Sequence, residues 1–186
     1  MIGEKPNEIT WWKVADFLQY CRSHPVPAAL RILLTSDGTV VGTLRALWLE
    51  PVTLERVDQR EVILEGDRAV FFRQPDGTKG LSREIYLVQN GRRSVHAFSF
   101  FPLHGLSPRF YQEIVQTQIP MGSLIETHAL MARRDGIEIC RVSDAPTARE
   151  LGCPEDAPLW GRRYQLVIPG EASASIFEVF SSIIRD

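Results

Sequence analysis

At 186 residues, with 44% hydrophobic and 24% charged side chains, the chain can bury one substantial core and has the composition of a soluble globular protein. Its formal net charge of −2 lacks the basic excess that phosphate backbones demand, which argues against a nucleic-acid surface as its main purpose. Three cysteines (Cys21, Cys140, Cys153) without metal-ligand spacing argue against a disulfide framework or a metal site, and Met1–Pro6 has no signal-peptide character.

Glu8 to Arg22 predicts an amphipathic N-terminal helix carrying Trp11 and Trp12, closed by Pro25 and Pro27. Ala28 to Leu34 is apolar and is followed by the turn-like Ser36-Asp37-Gly38-Thr39. Val40 to Glu50 fits either a helix or a strand. Val52–Val57 and Glu61–Leu64 alternate as strands with a short break between them, and Ala69–Arg73 continues the strand-like series. Arg83–Val88 and Ser94–Phe101 predict a hairpin across Gln89-Asn90-Gly91-Arg92, because Asn-Gly between alternating runs suits a tight two-residue turn. Phe98, Phe100 and Phe101 read as core.

Ser107-Pro108 opens a helix, with serine at the cap and proline at the first helical position. Pro120 ends that element and starts another, leaving Met121, Gly122 and Ser123 at its N-terminus. Gly136–Val142 is a strand, Asp144–Leu151 a short helix ending at Gly152, and Trp160–Ile168 with Ser173–Ile184 a last hairpin over Pro169-Gly170. Strands in adjacent runs with few helices between them predict an α+β fold, a single antiparallel sheet flanked by helices. With no linker or repeat, residues 1–186 read as one domain, with 8–22 packed on it. No apolar run approaches the length of a membrane span.

Two charges stand out. Glu178 shares its strand face with Ile176 and Phe180, and Arg83 shares its face with Ile85 and Leu87. A buried carboxylate is neutral, paired or lining a pocket, and a buried guanidinium poses the mirror-image problem. The two could satisfy each other as a structural ion pair, or frame a polar site in an apolar shell. One of Arg162 and Arg163, adjacent on a strand, is expected to face solvent. His96, His104 and His128 form no cluster, and Ser99 and Ser123 have no nucleophile setting.

The ordered set of Arg83-Glu84-Ile85, Ile119-Pro120-Met121-Gly122, Leu159 to Arg163 and the Glu178 strand resembles the chorismate lyase family, most firmly from about Leu81 onward. That resemblance implies removal of pyruvate from chorismate to give 4-hydroxybenzoate, a quinone head-group precursor, in the cytoplasm and without metal or organic cofactor. It places Arg83 and the Met121 amide, in the Pro-Met-Gly step, on the ring carboxylate, with Gly122 beside it. It sets Glu178 against the ring hydroxyl, as acceptor or as acid or base, and Thr39 in a segment that covers the ligand. Thr147–Gly152 and Pro154–Leu159 resemble instead the UTRA ligand-binding domain of transcriptional regulators, which shares this fold and only senses small molecules. About thirty residues before Arg31 are too few for the DNA reader of such regulators. An enzyme and a stand-alone sensor are therefore the two readings, each with a small-molecule partner and neither with nucleic acid or membrane.

Overall fold

The computed structural model describes residues 9–116, 119–127 and 131–184. Its strands are β1 (Trp12–Lys13), β2 (Thr53–Leu64), β3 (Thr78–Gln89), β4 (Arg92–Pro102), β5 (Arg133–Val142), β6 (Leu159–Val167) and β7 (Ala174–Phe180). They form one antiparallel sheet in the order β1-β5-β6-β7-β4-β3-β2. The helices among the described residues are α1 (Val14–Tyr20), α2 (Ala28–Thr35), α3 (Val40–Trp48), α4 (Asp67–Phe72), α5 (Pro108–Gln116), α6 (Met121–Thr127) and α7 (Ala145–Glu150). This is the α+β arrangement of an antiparallel sheet flanked by helices that the sequence predicts.

Turn chemistry sets the β3–β4 hairpin. Asn90 and Gly91 take φ of 49° and 70°, as a tight β3–β4 hairpin requires. The Ser107 hydroxyl caps α5 by accepting from the Phe110 amide at 3.2 Å, and the Asp144 carboxylate caps α7 through Thr147 at 2.9 Å. Val40–Glu50 resolves as a helix, α3, whose Thr39 hydroxyl accepts from the Gly42 amide at 3.0 Å and whose end is left-handed Leu49.

Three expectations are corrected. The helix predicted over 8–22 is a two-residue strand and the shorter α1. Adjacent indoles must reach opposite sides of the sheet: Trp11 packs on Phe71 and Phe177, whereas Trp12 packs on Tyr20 and Trp160. Only extended backbone sends consecutive side chains to opposite faces. Ala69–Arg73 is not a strand but α4, entered from Gly66 and closed by Arg73, both at φ 54°. A short apolar run carries no period that separates the two. The two runs before it are one strand, β2, with a bulge between Arg56 and Asp58.

Helices cover both faces. Leu33, Leu34 and Leu44 of α2 and α3 pack with Leu87, Val95 and Phe180, while Phe110, Ile114 and Leu124 of α5 and α6 form a second cluster with Leu81, Leu166 and Ile176. These clusters share one face of the sheet. On the other, α4 and α7 pack on Phe98, Phe177 and Val179. At roughly 25 cal/mol per Å² of apolar surface removed from water, these clusters are the main source of stability. A polar seam separates the two clusters of the first face.

Candidate active site

Strand register builds that seam. Ala97, Glu178 and Arg162 lie side by side on β4, β7 and β6, and the next row on the same face is Arg83, Ser99, Ile176 and Tyr164. Glu178 and Arg162 are therefore directly opposed across a strand pair, with Tyr164 on the diagonal, distances that long side chains span.

The Glu178 carboxylate is held at both oxygens. Arg162 Nε donates to Oε2 at 2.7 Å, and the Tyr164 hydroxyl donates to Oε1 at 3.2 Å. Arg162 is completely buried; Nη1 donates to the Ser36 carbonyl at 2.8 Å, and Nη2 has no hydrogen-bond partner. Burial alone would push the Arg162 guanidinium down, but the charge of Glu178 and contacts to Glu178 and Tyr164 outweigh it and raise its pKa. Burial, then the nearby Glu178 charge, pushes the Tyr164 phenol up to about 12, so it stays protonated and donates. The expectation that one of Arg162 and Arg163 faces solvent does not hold. Arg163 lies on the opposite face, stacked 3.8 Å over Trp11 and bonded to Glu138 at 2.8 Å, because helices cover both faces.

Arg83 is 3% exposed. Burial, reinforced by the charge of Arg56, pulls its pKa down to about 10, which leaves it a cation at neutral pH. Its Nη2 donates to the Ile119 carbonyl at 3.5 Å, just ahead of α6. The partner of Glu178 in its buried ion pair is Arg162, not Arg83.

Arg83, Arg134, Tyr164 and Glu178 line one pocket of about 60 Å³, roofed by Val40 and Val41 of α3 and by Pro120, Met121 and Gly122. The structure thus brings Arg83, Glu178, Met121 and Gly122 together. Thr39 caps α3 just outside: a Cβ on Gly122 would come within 3.2 Å of the Thr39 Cβ, so the two roof helices meet there at a residue without a side chain. Ser99 also lines the pocket, and its hydroxyl donates to the Arg83 carbonyl at 3.4 Å.

His96 is buried on the other face between Tyr86 and Phe98, with Nε2 2.8 Å from Glu84; His104 is exposed, and His128 lies outside the described residues. A larger open groove, about 1380 Å³, lies at the β3–β4 turn beside Glu150 and Ile183. Its Arg93 is already engaged by Glu55 and Glu150, and Arg83, Glu178, Met121, Gly122 and Thr39 are not among its lining residues.

Sequence reasoning missed Arg162, Tyr164 and Arg134. The signal for the first two was present in Trp160, Arg162, Tyr164 and Leu166, an aromatic-rich alternation that marks an inward face.

Residues 34–186 match the profile of the family described as chorismate pyruvate-lyase Rv2949c-like. The chain belongs to that family. No curated protein matches its sequence. Among solved structures it is similar to PhnF from Mycobacterium smegmatis, with TM-score 0.64 and 14% identity over 81% of this chain and 67% of that one. The effector domain of the same protein gives 0.58 and 13%, covering 80% and 91%. The ligand-binding domain of a putative GntR-family transcriptional regulator from Bordetella bronchiseptica gives 0.52 and 16%, covering 69% and 83%. At these identities the likeness is one of fold, the chorismate lyase and UTRA-like fold. In this chorismate pyruvate-lyase-like chain the family match begins within α2 and spans both roof helices and every pocket residue named above, while β1 and α1 precede it.

Proposed function

We propose that the protein is a chorismate lyase that eliminates pyruvate from chorismate and releases 4-hydroxybenzoate for quinone or related aromatic biosynthesis. The observation that carries this reading is a carboxylate, Glu178, fixed by Arg162 and Tyr164 in the wall of a pocket that also holds the buried cation Arg83. Arg83 offers a planar fork to the ring carboxylate, and the Met121 amide, with Gly122 beside it, sits at the same end. Glu178 faces the ring hydroxyl. It is also the one carboxylate among the described pocket residues, and so the protein's acceptor for the proton on the hydroxyl-bearing carbon. As that C–H bond breaks, its electrons enter the ring, the adjacent C–O bond breaks, and the oxygen leaves with its pair. The departing enolpyruvate takes back a proton and tautomerises to pyruvate. Aromatisation supplies the driving force, so orientation and charge placement are what the protein must add, without metal or organic cofactor.

A pocket of about 60 Å³ holds no more than about two waters. Admission of a six-membered ring therefore requires α3 with Thr39, and the Pro120–Gly122 step, to draw back. We read residues 1–186 as one domain. Cys21, Cys140 and Cys153 are not joined in disulfides, which suits the cytoplasm.

Glu178→Gln is expected to keep the fold and lose most turnover, and Arg83→Ala to abolish it. Full chorismate turnover in both variants would sink the assignment. The kinship in fold with regulator effector domains favours one other reading, a small-molecule sensor without chemistry. It predicts ligand-dependent thermal stabilisation with no product formed.

A further inference from the structure

We infer that Arg134 forms a second anion-binding end of the pocket and takes the carboxylate of the enolpyruvyl group, an assignment that rests on the lyase reading. The path of β5 puts it there. Counting back by twos from Ile139, which faces the pocket side opposite Arg162, would send Arg134 to the other face. A register shift between Asp135 and Glu138, with Gly136 at φ 61°, reverses the alternation and pairs Arg134 with Leu166 on the pocket face. The neighbouring Asp135 is taken by Arg133 at 2.7 Å, and among the described residues no carboxylate forms a salt bridge with Arg134. Its Nη1 donates to the Asp37 carbonyl at 2.6 Å, its guanidinium lies 5.4 Å from the Tyr164 ring centre, and its Nε is buried without a hydrogen-bond partner.

Sheet order then fixes what the pocket recognises. Arg134 on β5 and Arg83 on β3 stand at opposite ends, four strand spacings apart, with Glu178 on β7 between them. That is roughly 19 Å between backbones, which two inward-leaning arginine side chains reduce to the length of a small diacid. A ligand meets a cation, a hydroxyl acceptor and a second cation. Chorismate presents a ring carboxylate, a hydroxyl across the ring and, next to it, the enolpyruvyl carboxylate. Negative charge grows on that group as the C–O bond breaks, and a guanidinium already holding its carboxylate stabilises it. The 4-hydroxybenzoate left behind has no second carboxylate and loses this contact.

Two probes separate the ends: 4-hydroxybenzoate, with one carboxylate, and 3-(carboxymethoxy)-4-hydroxybenzoate, an unreactive diacid with the substitution pattern of chorismate. Calorimetric titration of the wild-type protein should show the diacid binding about 10-fold or more tightly, the gain of one charge-assisted pair. Arg134→Gln should erase that preference, leave 4-hydroxybenzoate affinity within about 2-fold and cut kcat/KM for chorismate by at least the lost preference. Arg134→Lys, which keeps the charge, should recover part of the preference and guards against misfolding of the glutamine variant. Arg83→Gln should weaken both probes. Equal affinity of the two probes for the wild type, or an undiminished preference in both Arg134 variants, would overturn the inference. Should the wild type bind both probes without consuming chorismate, the lyase reading fails, and the diacid preference and its loss in Arg134→Gln still decide whether the second end exists.

Discussion

Replacing Arg162 by methionine removes one partner of an ion pair whose side chains are 1% and 8% exposed. It strands the Glu178 carboxylate with only the Tyr164 hydroxyl and frees the Ser36 carbonyl. Breaking a buried pair from one side costs about 3–5 kcal/mol, because the desolvated charge that remains is uncompensated. For a chain of this length each kcal/mol moves Tm by about 2–4 °C, so the expected drop is roughly 6–20 °C. Adding Glu178→Leu removes the stranded charge and fills the space with an apolar side chain, and replacement of a whole buried pair is often neutral or stabilising. Thermal melting at pH 7 should therefore rank wild type and the double variant well above Arg162→Met, with chorismate turnover abolished in the double variant whatever its Tm. A single variant within about 2 °C of wild type, or a double variant no more stable than the single, would refute the ion pair as the support of Glu178.

Gly80→Ala should destabilise by about 1–3 kcal/mol, since the new Cβ would fall 2.2 Å from Phe100 Cζ and 2.6 Å from the Phe101 carbonyl, contacts that repacking alone cannot relieve; chemical denaturation measures it. Burial holds the His96 imidazole below its usual value, opposed by the hydrogen bond and charge of Glu84 and by Asp144. The unfolded chain then binds that proton first. The His96 contribution is complete well above the ordinary imidazole value of 6.5 and is lost as pH falls below it, so His96→Gln should flatten the Tm profile on that acidic side. An unchanged slope would place the acid sensitivity elsewhere.

What was legible in the sequence followed simple periods. Asn90-Gly91 marked the β3–β4 hairpin, and alternation by twos placed Arg83 and Glu178 on inward faces. The rest lay where a period breaks or is missing. Ala69–Phe72 has no rhythm to separate helix from strand, and Trp11 and Trp12 divide between two faces because helices cover both. The same double cover buries Arg162 and shields Arg163, a fact of tertiary packing that strand alternation alone does not carry. Arg134 was hidden by the bulge at Gly136, which turns its side chain to the opposite face from the one a regular strand would give it.

The most direct test of the lyase assignment is product stoichiometry. Purified protein is incubated with chorismate, 4-hydroxybenzoate is read by chromatography and pyruvate by a coupled assay, each against the spontaneous background. Equal amounts of both, with neither formed by Arg83→Ala, are the predicted result. Neither product from a folded, ligand-competent sample would contradict the assignment and leave a binding module in its place.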